Sequence, residues 1–277
     1  MFVNLSRQLF RISIIALLCQ SVYAADSGVV LIDEKAAANG KITTGDTPGF
    51  PVTISESGSY RLDSNLIVPD AATTAIEITA DNVTLDLGGF SIIGPNTCTP
   101  NPVQCTYSGG SGIGIKAVAA VGVSPENVRV QNGTVRGMGG HGIRLIGNGT
   151  VVERVQALSN GGPGIVVGEG SVIDSIVRSN GAGAALVGTI VRNCIATNNV
   201  FGIFVRPGGV AIGNVAAYNS VGGISVNQAT AANNTAYNNG DYGFDGVCPG
   251  VLVGNTAVGN GTNIRTNGQC TLANNNP

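Results

Sequence analysis

The 277-residue sequence has no tryptophan, one histidine and few charged side chains of either sign. Charged residues make up 11% of the chain, lysine occurs only as Lys35, Lys41 and Lys116, and the formal net charge is −2. Proteins that bind nucleic acid or anionic membranes present basic patches, so we expect neither partner. Zinc sites are built mainly from cysteine and histidine. His141 is the single histidine and no Cys-x-x-Cys pair occurs, so we predict no metal site and no cofactor.

A long apolar run is also missing. The apolar stretch Ile12–Cys19 is shorter than the ~20 residues that a membrane-spanning helix needs. Arg7 and Arg11 precede it and the small-residue site Val22–Ala24 follows it, which is the form of a signal peptide. We expect cleavage near Ala24, leaving 12 basic and 16 acidic residues, a net charge of −4, in a secreted or periplasmic protein.

Glycine and asparagine are abundant, with 42 glycines in the chain, and both recur in register. From residue 150 onwards, the phrase Asn-x-Ala-x-x-Asn followed by Gly-Ile returns every 19 to 21 residues. The alanine column holds Ala157, Val177, Ala196, Ala216, Ala236 and Ala257. The asparagine column three positions later holds Asn160, Asn180, Asn199, Asn219, Asn239 and Asn260. A second asparagine column holds Asn214, Asn234, Asn255 and Asn275, and an apolar column holds Ile143, Ile165, Ile203, Ile224, Phe244 and Ile264.

A fixed period of this length is typical of a solenoid. Each coil of ~20 residues would form a few short strands, and successive coils would stack ~4.8 Å apart. Equivalent side chains then lie on one another, so the asparagines form amide ladders at the bends and the apolar column forms a slender core. We also expect the asparagines to adopt the left-handed conformation of the bends. The glycine before each apolar residue is expected to free the backbone to turn.

The regular repeat does not cover the whole chain. Residues 25–60 do not fit the register, and Asp33–Asn39 followed by Gly40 predicts a short helix with a C-terminal glycine cap. An open solenoid end needs a cover, so we assign 25–60 to an N-terminal cap and 61–277 to the solenoid. The similar segments 82–89 and 127–134 lie 45 residues apart, which predicts a loop excursion at about 95–112.

Five cysteines remain after the expected cleavage, and export permits disulfides. Cys98 and Cys105 lie seven residues apart in a proline-rich segment, and we predict that they close one loop. Cys248 and Cys270 lie about one repeat apart and are expected to join the last two coils. Cys194 stands in a column that later repeats fill with asparagine, and we interpret it as a buried free thiol.

The position after the apolar column should point outwards, because side chains alternate along a strand. It carries Arg144, Val166, Phe204, Ser225, Asp245 and Arg265. Asp241, Tyr242 and Asp245 add two carboxylates and an aromatic ring within five residues, a combination that suits a carbohydrate surface. The candidate substrate-binding residues are therefore Arg144, Phe204, Asp241, Tyr242, Asp245 and Arg265. The alternative is that these are ordinary solvated residues. Calcium at Asp241 and Asp245 would have too few evident ligands.

Two features resemble a known family. The segments Ile54–Leu62 and Ala80–Phe90 look like the opening of exported right-handed parallel β-helix proteins. The later Asn-x-Ala-x-x-Asn and Gly-Ile repeats are similar to the pectate-lyase-like β-helix repeat. The resemblance covers roughly residues 50 to 277 and implies an all-β, right-handed parallel β-helix. Relatives include polysaccharide lyases, hydrolases, epimerases and adhesins, and the shared residues are ladder and core positions, so no catalytic residue is carried over.

Two functions from different classes follow. The leading hypothesis is non-catalytic display or binding of a polysaccharide or a cell-envelope partner, because paired acids and bases are scarce. The alternative is a polysaccharide lyase or glycoside hydrolase acting on a uronate-containing polymer through Asp241, Asp245 and Arg265. His141 has no evident nucleophile or orienting acid beside it, so we expect no catalytic role for it. A third hypothesis is an adhesin.

Overall fold

The computed structural model describes residues 28–100, 102–106, 110–119, 122–181 and 183–277. The signal peptide that we predicted at 1–24 lies outside these residues. The regular secondary structure of the described part of the chain is almost entirely β-strand, and its α1 helix (Glu34–Asn39) has six residues. Within the same part of the chain, no helix is both long enough and apolar enough to cross a membrane.

The strands are short and follow one another closely along the chain. The first are β1 (Val29–Ile32), β2 (Val52–Ile54), β3 (Gly58–Leu62), β4 (Leu66–Ile67), β5 (Ile76–Ile78), β6 (Val83–Asp86), β7 (Ser91–Ile93), β8 (Cys98–Thr99) and β9 (Gln104–Cys105). Next are β10 (Ile115–Ala117), β11 (Arg129–Arg136), β12 (Ile143–Leu145), β13 (Val151–Leu158), β14 (Ile165–Val167), β15 (Ser171–Ile173), β16 (Ile176–Arg178), β17 (Ala184–Arg192) and β18 (Ile195–Thr197). The last are β19 (Phe201–Ile212), β20 (Val215–Ala217), β21 (Gly222–Asn227), β22 (Thr230–Ala232), β23 (Thr235–Tyr237), β24 (Tyr242–Val247), β25 (Val251–Val253), β26 (Thr256–Val258), β27 (Thr262–Asn267) and β28 (Thr271–Ala273).

Apart from the β8–β9 hairpin, the strands pair in parallel and stack into three sheets along the solenoid. Sheet A contains β2, β5, β10, β12, β14, the first parts of β17 and β19, β21, β24 and β27. Sheet B contains β1, β3, β6, the first parts of β11 and β13, β15, the last parts of β17 and β19, β22, β25 and β28. Sheet C contains β4, β7, the last parts of β11 and β13, β16, β18, β20, β23 and β26. The prediction of an all-β parallel solenoid is confirmed.

The core is a narrow column between the three sheets. Each sheet contributes one or two inward residues per coil, and equivalent residues pair directly, as Ile203 does with Ile224 and Ile224 with Phe244. Sheet A supplies the large side chains, and sheet C supplies alanines such as Ala216 and Ala236, all of them buried. Burial of one such large side chain contributes roughly 1.5–3 kcal/mol. Because each coil packs only on its neighbours, the register of every coil depends on the next.

Two asparagine ladders line the corners of the solenoid. At the corner from sheet C to sheet A, Asn219 donates through Nδ2 to Oδ1 of Asn239 (2.8 Å) and accepts at Oδ1 from the backbone N–H of Asn199 (3.0 Å). The same contacts repeat along this ladder at Asn160, Asn180, Asn199, Asn219, Asn239 and Asn260. A second ladder at the corner from sheet B to sheet C contains Asn214, Asn234, Asn255 and Asn275. Each ladder therefore satisfies polar groups of the next coil as well as its own.

The left-handed bend residue is not the ladder asparagine, as we expected, but the residue before it. Positive φ angles occur at Asn198 (54°), Tyr218 (56°) and Asn238 (49°), and the ladder asparagines that follow them have none. The reason is that the bend turns the next side chain inwards, where its amide can reach the adjacent coils. The ladder therefore needs two residues at each corner, one for the turn and one for the hydrogen bonds.

The role that we predicted for the glycine before the apolar column is also wrong. Gly164 and Gly223 do not have positive φ angles. A Cβ at Gly223 would lie 2.8 Å from Nδ2 of Asn239, and one at Gly164 would lie 2.9 Å from Nδ2 of Asn180. Glycine is required here because the chain passes directly over the ladder amides, which leave no space for a side chain.

The N-terminal segment contains the helix that we predicted. Asp33 accepts a hydrogen bond from the N–H of Ala36 (2.6 Å), and Gly40 ends the helix with φ 67°. Strands β1 and β2 lie within the range 25–60 that we assigned to a cap, and β3 crosses its end; all three already pair in parallel with one another or with the next coil. The division between cap and solenoid remains a prediction.

The chain leaves the coil after β7 and returns at β10, where we expected an excursion, and it forms the antiparallel hairpin β8–β9. The Cys98–Cys105 disulfide joins directly paired residues of this hairpin. The second disulfide joins Cys248 to Cys270 on adjacent coils. Both predicted disulfides are confirmed. Cys194 is free and buried, as we predicted.

Candidate functional site

The residues that we predicted as a substrate-binding stripe lie along the outer surface of sheet A. Arg144 pairs with Val166, Phe204 with Ser225, and Asp245 with Arg265. Six coil spacings of ~4.8 Å separate the coil of Arg144 from that of Arg265, about 29 Å along the axis. The structure thus spreads the predicted residues over a long surface instead of bringing them together at one point.

Four of them do form a compact group on the last coils. The guanidinium of Arg265 binds both carboxylate oxygens of Asp245 through Nε (3.0 Å) and Nη2 (3.2 Å). Its Nη1 binds Oδ2 of Asp241 at 3.1 Å. The Arg265 Cζ atom lies 4.1 Å from the centre of the Tyr242 ring, a cation–π contact. The cation is therefore shared between two carboxylates and one aromatic face.

The Tyr242 ring is enclosed by this arrangement. Its strand pairs with β21, where a Cβ at Gly222 would overlap the ring, so glycine leaves the space that the ring occupies. Tyr242 is only 5% exposed, and burial together with Asp245 raises the pKa of its hydroxyl to about 12. The ring accordingly packs against the protein and does not offer a free face to a sugar.

The chemistry of this cluster does not suit proton abstraction. Hydrogen bonding to Asp245 raises the pKa of Arg265 above its usual range, whereas a general base needs a pKa near the working pH. Both carboxylates are already occupied by the guanidinium. Among the described residues, no group of three or more His, Cys, Asp or Glu side chains could hold a metal ion. The cluster's geometry favours a role in fastening adjacent coils.

A more open site lies at the corner from sheet A to sheet B, which we name the corner cleft. Its volume is ≈ 660 Å³, and it is lined by Ile146, Asn148, Gly168, Glu169, Thr189, Arg206 and Pro207. The cleft exists because one coil turns this corner early. Between equivalent positions of sheet A and sheet B, the chain advances six residues in one coil (Ile165 to Ser171) and seven in the second coil after it (Ile203 to Val210). In the coil between these two it advances only four residues (Leu186 to Ile190). The short corner leaves a notch between its longer neighbours.

Opposite charges stand on the two walls of the corner cleft. Glu169 is exposed on one wall and Arg206 lies on the other. Among the described residues they form no ion pair with each other or with any other side chain. Arg206 is positioned by a hydrogen bond from Nε to the carbonyl oxygen of Val167 (3.3 Å). The cleft therefore holds a donor group and an acceptor group that are both open to a ligand.

A smaller pocket of ≈ 240 Å³ adjoins the cleft and shares Glu169 and Thr189 with it. Thr150 lines this pocket, and its Oγ1 atom is buried without a hydrogen-bond partner among the described residues. Buried polar atoms are rarely left unpaired in native proteins. Because this hydroxyl is buried, it lies beneath the pocket surface and is not exposed in the cleft.

Two other reactive side chains do not belong to a catalytic arrangement. Burial and the nearby charge of Arg144 lower the pKa of His141. Burial raises the pKa of the Cys194 thiol to about 12, which keeps it protonated and unreactive. Among the described residues, the Cys194 thiol bonds only to backbone carbonyl oxygens, and no side-chain hydrogen bond pairs His141 with a nucleophile or base.

Comparison with known proteins adds a structural likeness only. A crystal structure of the Dettilon tailspike protein (gp208) matches with a TM-score of 0.48 and 14% sequence identity, over 81% of this chain and 52% of that chain. This chain therefore spans about half the length of the tailspike protein that it matches. Neither a protein-family model nor a curated protein matches the sequence.

Sequence reasoning missed the corner cleft. Arg206 and Glu169 are not in equivalent columns, so aligning the repeats does not bring them together. The available signal is the spacing between Asn180 and Asn199, which at 19 residues is the shortest in its ladder. A short repeat marks the coil where a corner has lost residues, and its neighbours become the walls of a notch.

Proposed function

We propose that this protein binds an acidic polysaccharide, without cleaving it, in the corner cleft and along the adjoining outer surface of sheet A. The observation that carries the proposal is that Glu169 and Arg206, on facing walls of the corner cleft, form no ion pair with a described residue. A guanidinium binds carboxylates with two parallel hydrogen bonds. A carboxylate accepts hydrogen bonds from sugar hydroxyls.

The surface next to the cleft supports an extended ligand. Phe204 lies two residues before Arg206 on the outer side of β19, and Val187 is its neighbour on the adjacent coil. Arg144 lies further along the same outer stripe and also has no carboxylate partner among the described residues. Because coils repeat every ~4.8 Å, close to the length of one pyranose unit, a glycan chain could meet successive coils in step.

Binding of hexagalacturonate, measured by isothermal titration calorimetry, tests the proposal. We expect the parent protein to bind it, and to bind neutral cellohexaose in this cleft more weakly. Arg206→Ala should weaken hexagalacturonate binding roughly 10-fold or more, because a hydrogen bond to a charged group contributes ~1.5–3 kcal/mol. Arg178→Ala is the matched control, since Arg178 is exposed on sheet C and forms no ion pair with a described residue.

Equal losses in the Arg206 and Arg178 variants would show a general charge effect and contradict the proposal. Absence of binding by the parent protein to hexagalacturonate and to an alginate oligomer would also contradict it. The same incubations test the alternative function, because a lyase releases unsaturated sugars that absorb in the ultraviolet. If such products appear and are lost in Asp245→Asn, the cluster at Arg265 is an active site and the non-catalytic proposal is wrong.

The proposal includes export. The two disulfides support an oxidising compartment, and the sequence at 1–24 has the form of a signal peptide. A mature N-terminus at Ala25, measured by mass spectrometry of the exported protein, is the expected outcome. A protein that keeps Met1 and stays in the cytoplasm would contradict it.

A further inference from the structure

A second site lies at the corner between sheets C and A, away from the corner cleft. It is a surface pocket of ≈ 360 Å³, lined by Pro102, Tyr218, Asn219, Ser220, Asn238 and Gly240. Pro102 belongs to the disulfide-closed hairpin, and the other residues belong to two successive coils. The loop excursion therefore reaches along the solenoid and forms one wall of this pocket.

Tyr218 lines the pocket, and the ring of Tyr237 packs against the ring of Tyr218. Tyr218 is 45% exposed and Tyr237 is 40% exposed. Their ring centres are 5.6 Å apart and their planes are nearly perpendicular, at 86°. In an edge-to-face pair, one ring covers at most one face of the other, so aromatic surface remains open to solvent. This contrasts with Tyr242, whose ring is buried.

Tyr218 differs in residue type from the other members of its column. Tyr218 has φ 56°, in the left-handed region, where a bulky side chain is unfavourable. The equivalent corner positions on other coils hold Ser159, Ser179, Asn198, Asn238 and Gly259, residues that tolerate this conformation better. A bulky residue in a strained backbone conformation, at a position where other coils have small or polar residues, indicates a functional site.

The polar groups around the rings are uncharged and available. None of the described residues that line the pocket carries a charge. Ser220 and Asn238 are exposed, and in the described part of the chain neither side chain forms a hydrogen bond. An aromatic ring beside a hydroxyl and an amide can hold a ligand that has one apolar face and polar edges.

We propose that Tyr218, Tyr237 and the adjacent Ser220 and Asn238 form a binding site for a neutral, β-linked pyranose oligosaccharide. In gluco-configured β-pyranoses the hydroxyls are equatorial, so each ring face presents C–H groups that stack on an aromatic ring. The equatorial hydroxyls at the ring edge then reach Ser220 and Asn238. The absence of charge among the lining residues distinguishes this site from the corner cleft, and the two proposals stand independently.

The probes are cellohexaose and chitohexaose, and the readout is intrinsic tyrosine fluorescence, which is not masked because the chain has no tryptophan. We expect at least one probe to bind the full chain with a dissociation constant of about 1 mM or lower. Tyr218→Asn should weaken that binding roughly 10-fold or more. The same variant should keep or raise the thermal midpoint, because asparagine tolerates the left-handed bend. A purely structural Tyr218 would show the opposite, a lower midpoint with binding unchanged.

Tyr237→Val is the second variant, because Val258 occupies the paired position on the next coil. For variants that lack a tyrosine, binding is measured by calorimetry and not by fluorescence. Ser179→Asn is the matched control, in the same bend column but two coils away, and should bind the probe like the parent. Arg206→Ala should also bind it normally, which separates this site from the corner cleft. Binding of neither probe by the parent, or equal binding by Tyr218→Asn, would overturn the proposal.

Discussion

Removal of one interior ladder side chain gives the sharpest test of what holds the coils together. Asn219 is 1% exposed. Its Oδ1 accepts from the backbone N–H (3.0 Å) and from Nδ2 (3.2 Å) of Asn199, and its Nδ2 donates to the carbonyl oxygen of Ala196 (3.1 Å) and to Asn239 (2.8 Å). Asn219→Ala deletes all four hydrogen bonds while the backbone pairing of β20 can remain.

The size of the effect follows from the groups left unpaired. The backbone N–H of Asn199 and one of its Nδ2 protons lose their acceptor inside the solenoid. A buried polar group without a partner costs about 1–3 kcal/mol, so two such donors predict a loss of about 2–6 kcal/mol. Whole domains are stable by only about 5–15 kcal/mol. A single rung therefore accounts for a large part of the stability of the rod.

Urea unfolding followed by far-ultraviolet circular dichroism measures the loss. The matched control is Asn227→Ala, because Asn227 lies in β21, on the coil after Asn219, and makes no side-chain hydrogen bond with a described residue; we expect a change of about 0.5 kcal/mol or less. Hydrogen exchange should also show lost protection at the Asn199 amide. If both variants lose the same stability, or if the Asn199 amide stays protected, the ladder does not hold the coils as we infer.

Three further predictions concern packing, the disulfide and the thiol. Gly223→Ala should lower the free energy of unfolding by about 1–3 kcal/mol, since its Cβ would lie 2.8 Å from Nδ2 of Asn239; thermal unfolding measures this. Replacement of Cys248 and Cys270 by serine opens a loop of 22 residues and should cost about 3 kcal/mol, and limited proteolysis should then release the last coil first. The pKa of Cys194 is about 12 against an ordinary 9.0, so the stability contributed by the protonated thiol is present below about pH 9 and is lost as the pH rises towards 12. At neutral pH this thiol should resist thiol reagents until the chain unfolds, and rapid labelling of the native protein would contradict the assigned burial.

The candidate site was less predictable than the fold. The outward stripe from Arg144 to Arg265 was correctly placed on one sheet, because strand alternation and the repeat give the side on which a residue lies. The contact of Arg265 with Asp241, which lies outside that column, was not predictable. Asp241 and Arg265 are 24 residues apart, and the contact between them depends on side-chain direction at a corner, which no column alignment contains.

Tyr218 and Tyr237 show the same limit. They occupy different columns, so alignment of the repeats does not predict that they meet. In the folded chain Ala217 pairs with Tyr237, which places Tyr218 diagonally next to the Tyr237 ring. Diagonal contacts across two coils depend on the local twist and on the corner geometry, and a linear sequence comparison does not contain either.

The sequence by itself determined the parallel stacking of the coils, the asparagine ladders and both disulfides, because a strict period forces like residues into contact and each coil can bury its apolar side only against its neighbours. Only the tertiary structure decided where the surface opens and which charges stay free. The lengths of the corners create the cleft between Glu169 and Arg206, and the side chains around Arg265 neutralise one another. The cleft and the neutralised charges depend on distances between side chains, and the repeat pattern in the sequence does not give those distances.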